Sequence, residues 1–193
     1  MENTCKELIG RLSHLLTRAG YRMATAESCT GGMVGSLCTA VAGSSDWFSG
    51  GVIAYANQVK ERALGVPAEI LEKYGAVSAE VVRQMALGAL RVCGAQASVA
   101  LSGVAGPGGG SPEKPVGTVW LAVAVEERTG TCLIDLEAVQ RLHPDCVRVT
   151  GGERTIVVVA VRHHFTGDRD AVRTQAAWTV LRELADLLAM QRV

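Results

Sequence analysis

Ser28 stands in the stretch Ala26-Glu27-Ser28-Cys29-Thr30-Gly31-Gly32, after a short extended run and before an apolar helical pattern at Met33, Val34, Leu37, Cys38 and Val41. A strand that turns sharply into a helix at serine and glycine presents a hydroxyl and free backbone N–H groups at the carboxyl edge of a sheet. That combination suits nucleophilic attack by an oxygen, with the helix start favouring negative charge. The same residues also serve simply as helix caps, since Ser28 and Thr30 are preferred cap residues. Cys29 competes with Ser28 as a nucleophile, being adjacent and intrinsically more reactive.

A serine nucleophile needs a base. No histidine lies in a comparable strand-end context, so a Ser–His–Asp arrangement has no obvious candidate. Tyr55 ends a predicted strand, and Lys60 follows five residues later in a short helix. Lysine in such a place is ordinarily a solvated face, but burial and neighbours that lower its pKa make it a general base. The stretch Ser102 to Gly110 holds five glycines in nine residues directly after a predicted strand. Its unobstructed amides suit an oxyanion or a phosphate, or simply a flexible loop. Neither the dinucleotide fingerprint nor the Walker pattern fits: Ser111 occupies the last glycine position of the first, and no Gly-Lys-Ser/Thr occurs for the second. Ser111-Pro112-Glu113-Lys114 matches an S-x-x-K pattern, but Pro112 and Pro115 oppose the helical turn that would join serine to lysine. Arg169 and Arg173 are one helical turn apart at the start of the last predicted helix. They could fork onto a phosphate there, or pair with Asp168 and Asp170.

These groups need a frame, and the periodicities describe one. Leu8, Ile9, Leu12, Leu15 and Leu16 form a helical stripe ending near Gly20. A strand over about 22–27 and a helix to about Val41 follow, then a buried strand Gly51–Tyr55. Short helices are expected over Asn57–Leu64 and from Pro67 to Gly75, and a longer one from the Ser78 cap to about Val92. Ala97–Leu101 and Val116–Val125 read as buried strands with room for antiparallel pairing. Cys132–Ala138, Asp145–Thr150 and Arg154–His164 also read as strands, with Gly151-Gly152 as a hairpin turn. A long helix opened by Asp168 runs to about Gln191. The pattern predicts an α/β fold in one domain, with helices on both faces of the sheet.

Composition removes several function classes. The 193 residues balance 19 basic against 19 acidic, with no basic run, and only 4% are aromatic, which argues against a nucleic-acid partner. No stretch of 18 apolar residues and no apolar leader appears, so a soluble cytoplasmic protein without membrane contact is expected. The six cysteines (Cys5, Cys29, Cys38, Cys93, Cys132, Cys146) are widely spaced with no metal-ligand pattern. No metal site is expected. Adjacent His163 and His164 would face opposite sides of a strand and could not chelate one ion together.

Taken in order, several stretches resemble the CinA C-terminal domain family. They are Thr25–Gly32, Ala42–Ser45, Tyr55–Lys60, Gly75–Ser78, Gly103–Pro107, Lys114–Val119 and Gly167–Arg169. The enzymatic members of that family are nicotinamide mononucleotide amidohydrolases. The resemblance implies a three-layer α/β/α sandwich with a mixed, mostly parallel sheet. It implies Ser28 as nucleophile, Lys60 as base and Tyr55 lining the site, with no cofactor. Glu27, Thr30, Gly31, Gly32, Ser102, Gly103, Gly106 and Gly108 would contact a small nucleotide substrate, and Arg169 and Arg173 its phosphate. The rival function is a nucleotide-binding or regulatory module without turnover. Many members carry a further N-terminal domain that has no counterpart in this sequence, so a stand-alone form is expected. Ser102 stands where threonine is more usual. The region from about 137 to 161 looks inserted, with a hairpin that would lengthen the sheet, overhang the pocket or build a homo-oligomer contact.

Overall fold

The computed structural model describes residues 2–128, 133–151 and 154–192. Its elements run α1 (Glu2–Ala19), β1 (Met23–Glu27), α2 (Met33–Thr39), β2 (Phe48–Ile53), α3 (Asn57–Leu64), α4 (Ala68–Tyr74) and α5 (Ala79–Cys93). Then follow β3 (Ala97–Gly103), β4 (Thr118–Glu127), β5 (Leu133–Ile134), α6 (Leu136–Leu142), β6 (Val147–Gly151), β7 (Arg154–His164), α7 (Arg169–Ala189) and β8 (Gln191–Arg192). Six strands form one mixed sheet in the order β2-β1-β3-β4-β7-β6, while β5 and β8 pair separately.

Alternation along the strands assigns the two faces. Met23, Val99, Leu101, Leu121 and Val123 pack with α1, α2 and α7 in one apolar cluster. Ala24, Ala26, Ala100, Ala122 and Ala124 pack with α5 and the ends of α3 and α4 in the other. Large residues thus fill the α1/α7 side, while an alanine-lined face lets α5 approach the sheet closely. Gly88 continues that economy one layer out. A Cβ there would lie 2.9 Å from the Leu64 Cα, so only glycine lets α5 sit this close to the end of α3. Burial of these faces is what the period-2 and period-3.6 patterns report, and it supplies the main driving force for folding.

Three expectations are corrected. Parallel pairing is confined to β2-β1-β3. Pairs β3–β4, β4–β7 and β6–β7 are antiparallel, so the sheet is mixed without a parallel majority. Residues from Leu136 onward are not strand but the helix α6, started by Asp135, whose side chain accepts from the Ala138 amide. The second strand begins earlier than expected and stops at Ile53, leaving the Ala54 and Tyr55 carbonyls outside the ladder. The β6–β7 hairpin forms, with β7 paired to β4 on its other side. Gly152, Cys132 and the Cys5 side chain lie outside the described residues. Among the described residues, no helix is long and apolar enough to cross a membrane, and no group of three His, Cys, Asp or Glu could hold a metal ion.

Candidate active site

Ser28 follows the last residue of β1, at the carboxyl end of the strand. It continues the alternation of Ala24 and Ala26, which puts its side chain on the α5 side of the sheet and Cys29 in the cluster on the opposite side. The Ser28 amide donates to the Leu101 carbonyl at 3.1 Å, extending the β1–β3 pairing by one residue. Ser102 is the residue in register beyond it on β3, on the same face as Ala100.

Lys60 reaches Ser28 from α3. Its side chain is 1% exposed, and Nζ lies 3.1 Å from Ser28 Oγ. The same nitrogen donates to the Ala54 carbonyl at 2.7 Å and the Tyr55 carbonyl at 3.1 Å. Those two carbonyls are free because β2 ends at Ile53. They can only accept, so they fix two hydrogens of the amine, and in the neutral state its lone pair is left facing the Ser28 hydroxyl. Burial lowers the Lys60 pKa below that of a solvated lysine, against a small opposing pull from the neighbouring Cys29. Burial pushes the Cys29 thiol the other way, up to about 11, and keeps it protonated. Of the two adjacent nucleophile candidates, the serine is the one hydrogen-bonded to Lys60.

The turn that follows is tied down from two sides. Glu27 is 1% exposed, and its Oε2 accepts from Thr30 Oγ1 at 2.7 Å, the Gly32 amide at 3.0 Å and the Val34 amide at 3.1 Å. Its Oε1 accepts from the Gly35 amide at 2.9 Å. A carboxylate at the start of α2 thereby satisfies amides that the helix leaves unpaired. Gly32 has φ 99°, a left-handed conformation that glycine adopts without strain. From the other side, Arg173 donates through Nε to the Cys29 carbonyl at 3.2 Å and through Nη2 to the Thr30 carbonyl at 3.0 Å. Its Nη1 pairs with Asp170 at 3.1 Å.

Several of the residues expected at the substrate have partners within the turn itself. The Glu27 carboxylate, the hydrogen of the Thr30 hydroxyl and the Gly32 amide are engaged within the turn, and the Gly31 amide donates to the Ser28 carbonyl at 3.1 Å. Three of the five Arg173 N–H donors are engaged, two of them by the turn. What remains of the turn is the pair of amides of Cys29 and Thr30, for which no backbone acceptor is found among the described residues; the Cys29 amide faces its own thiol.

Arg169 stands at the exposed rim. It donates to the Gly106 carbonyl at 2.7 Å and to the Tyr55 hydroxyl at 3.3 Å, joining α7, the glycine loop and the end of β2. Tyr55 is 62% exposed, and it meets Lys60 through its main chain and Arg169 through its hydroxyl. Gly103 and Gly106 are glycines because the chain is crowded: a Cβ would meet the Thr118 carbonyl at 2.6 Å and Val116 Cγ1 at 2.6 Å. Gly108 is open to solvent, with nothing within 4 Å of a Cβ. Ser111 and Lys114 are no catalytic pair, since Lys114 Nζ donates to the Tyr74 carbonyl and Ser111 Oγ to Glu113.

A cleft of about 890 Å³ lies elsewhere, between the start of α5, the 111–115 loop and the α6–β6 connection. None of the residues around Ser28 line it. Its cations are cross-links: Arg83 bonds the Asp145 carbonyl, Lys114 that of Tyr74 and Arg162 that of Glu113.

Residues 5–143 match the CinA C-terminal domain. The chain is 40% identical over 186 residues to the nicotinamide-nucleotide amidohydrolase PncC of Enterobacter agglomerans, covering 94% of this chain and 96% of that protein. It is 42% identical over 176 residues to a CinA-like protein of Citrifermentans bemidjiense, covering 91% of this chain but spanning only 36% of that relative's length. Among solved structures, the competence-damaged protein (CinA) superfamily protein of Klebsiella pneumoniae 700603 superposes with a TM-score of 0.76 at 32% identity, covering 96% of this chain and 98% of that one. The ordered motifs, the fold and these matches agree, and the chain belongs to the CinA C-terminal domain family.

Proposed function

We propose that this protein hydrolyses the carboxamide of nicotinamide mononucleotide to nicotinate mononucleotide and ammonia, with Ser28 as nucleophile and Lys60 as general base. The observation that carries the reading is the buried Lys60 Nζ held 3.1 Å from Ser28 Oγ by two backbone carbonyls. The substrate follows from the amidohydrolase relative that matches nearly end to end.

Neutral Lys60 takes the Ser28 proton as Oγ attacks the carboxamide carbon. The carbonyl oxygen becomes an oxyanion held by the amides of Cys29 and Thr30, the two donors of the turn with no backbone acceptor. The Lys60 ammonium then protonates the departing nitrogen, ammonia leaves, and an acyl ester on Ser28 remains. Lys60 next deprotonates a water that attacks this ester. Collapse returns the proton to Ser28 and releases the carboxylate. Arg169, beside the start of α7, takes the phosphate at the rim. Cofactor chemistry has no part in these steps.

The test is ammonia release from nicotinamide mononucleotide by the purified protein, with Ser28→Ala silent in the same assay. A wild-type protein that binds the nucleotide without releasing ammonia would replace this reading with a non-catalytic binding module.

A further inference from the structure

The Arg173 guanidinium grips two consecutive carbonyls of the nucleophile turn, those of Cys29 and Thr30. In a trans peptide, the carbonyl and the following N–H point in opposite directions. Holding the Cys29 oxygen therefore aims the Thr30 N–H away from Arg173. Arg173 comes from α7, on the Met23/Leu101 side of the sheet, whereas Ser28 continues the Ala24/Ala26 face on the α5 side. Away from Arg173 is thus toward the side where Ser28 and Lys60 meet. The next peptide obeys the same geometry, since its Gly31 N–H is taken by the Ser28 carbonyl. Glu27 claims the amides further along, at Gly32, Val34 and Gly35. The two charged side chains divide the turn between them. One claims amides, the other claims carbonyls, and the donors they leave over are those of Cys29 and Thr30.

We propose that Arg173 is a positioning residue for the oxyanion site, orienting the Thr30 amide toward the reacting carbonyl through its grip on the Cys29 and Thr30 carbonyls, and that it is not a phosphate ligand. A cation bonded to the carbonyl also polarises the peptide and strengthens its N–H as a donor. The proposal deepens the hydrolase reading and rests on Ser28 being acylated.

The experiment compares wild type with Arg173→Lys and Arg173→Met on three substrates. Nicotinamide mononucleotide and nicotinamide riboside differ by the phosphate. p-Nitrophenyl acetate reports acylation of Ser28 whatever the natural amide is, with Ser28→Ala as its blank. Loss of one oriented donor predicts a fall in kcat on the order of 10- to 100-fold for the mononucleotide, with KM nearly unchanged. The riboside and the ester should lose by the same factor. Affinity for the aldehyde analogue of the mononucleotide, which adds Ser28 Oγ to form a hemiacetal, should fall in parallel with kcat/KM, while nicotinate mononucleotide binds as before. A KM that rises tenfold for the mononucleotide alone, with kcat kept, would make Arg173 a phosphate ligand and overturn the proposal. Equal loss of product binding and aldehyde binding, with a lowered Tm, would reduce it to a structural tie. Should wild type act on the ester but not on the mononucleotide, the substrate reading fails and the ester rates still decide the role of Arg173. Should wild type show no acylation at Ser28, both fail. If Arg173→Met does not fold, Arg173→Lys, which keeps the charge and loses the two-carbonyl fork, carries the comparison.

Discussion

Replacing Glu27 by glutamine exchanges one carboxylate oxygen for an NH2 group in a site that supplies only donors. Four hydrogens point at this side chain, from the Thr30 hydroxyl and the amides of Gly32, Val34 and Gly35. The least damaging rotamer keeps the oxygen at the three-donor position of Oε2 and turns the NH2 onto the Gly35 amide. Two donors then face each other, and one half-buried amide goes unsatisfied, at a cost of about 1–3 kcal/mol. The three surviving bonds lose their charge assistance, and the helix start loses its negative partner, adding roughly 0.3–1 kcal/mol or more. A total near 3 kcal/mol lowers Tm by about 6–12 °C in a domain of this size. Because the turn carries the nucleophile, kcat should fall with stability even well below the transition. Calorimetry with steady-state ammonia release at 20 °C below each variant's Tm separates the two effects. A Glu27→Gln protein with wild-type Tm and wild-type kcat would refute the reasoning that this carboxylate holds the turn, and would return Glu27 to the substrate.

Activity should rise with pH through the depressed pKa of Lys60 and level off below the 10.5 of an ordinary lysine, because only the neutral amine accepts a proton. A flat kcat/KM profile from about pH 6 to 9 argues against a lysine base. The same shift fixes a sign for stability: the unfolded chain binds more protons between the folded pKa and 10.5, so this residue's contribution weakens as pH falls through that window. Lys60→Met should therefore lose most turnover while its stability relative to wild type improves toward lower pH, readable by urea unfolding at two pH values. Gly88→Ala should cost about 1–3 kcal/mol, because its Cβ meets the backbone of Leu64 rather than a yielding side chain. By displacing α3 it should also lower kcat through Lys60, and a variant with unchanged Tm and kcat would contradict that packing. Arg169→Ala should raise KM for nicotinamide mononucleotide about tenfold to a hundredfold, the worth of a charge-assisted bond to phosphate, and leave nicotinamide riboside little changed. Equal damage to both substrates would make Arg169 only a brace between Gly106 and Tyr55.

How much of this was legible before the fold depended on the range of the interaction. The Ser28 turn and the helix carrying Lys60 are local, so residue type and spacing describe both, and the alternation of Ala24, Ala26 and Ser28 even gives the serine its face. The end of β2 is not legible, because Val52, Ile53, Ala54 and Tyr55 form one apolar run with no mark where pairing with β1 stops. That stop matters, since it frees the carbonyls that hold Lys60 Nζ. Helix α6 had a readable signal in the Asp135 cap and the spacing of Leu136, Val139 and Leu142, but the apolar pair Leu133-Ile134 before it suggested strand. The antiparallel half of the sheet depends on contacts between β4 and β7 some forty residues apart, which periodicity does not encode. Charge near a site is visible in sequence, so Glu27 and Arg173 suggest contact with substrate, whereas the amides and carbonyls that they bond within the turn are not visible there. Arg173 meets the turn across more than 140 residues of chain.

The central claim is that Ser28, activated by Lys60, is the atom that takes the acyl group. Its most direct test is rapid-quench mass spectrometry of the purified protein mixed with nicotinamide mononucleotide, followed by peptide mapping. The account predicts a transient acyl ester on Ser28 that forms with ammonia release and decays to nicotinate mononucleotide. The ester should be absent in Ser28→Ala, strongly slowed in Lys60→Met and unaffected by Cys29→Ala. An adduct on Cys29, or ammonia release at the wild-type rate by Ser28→Ala, would contradict it.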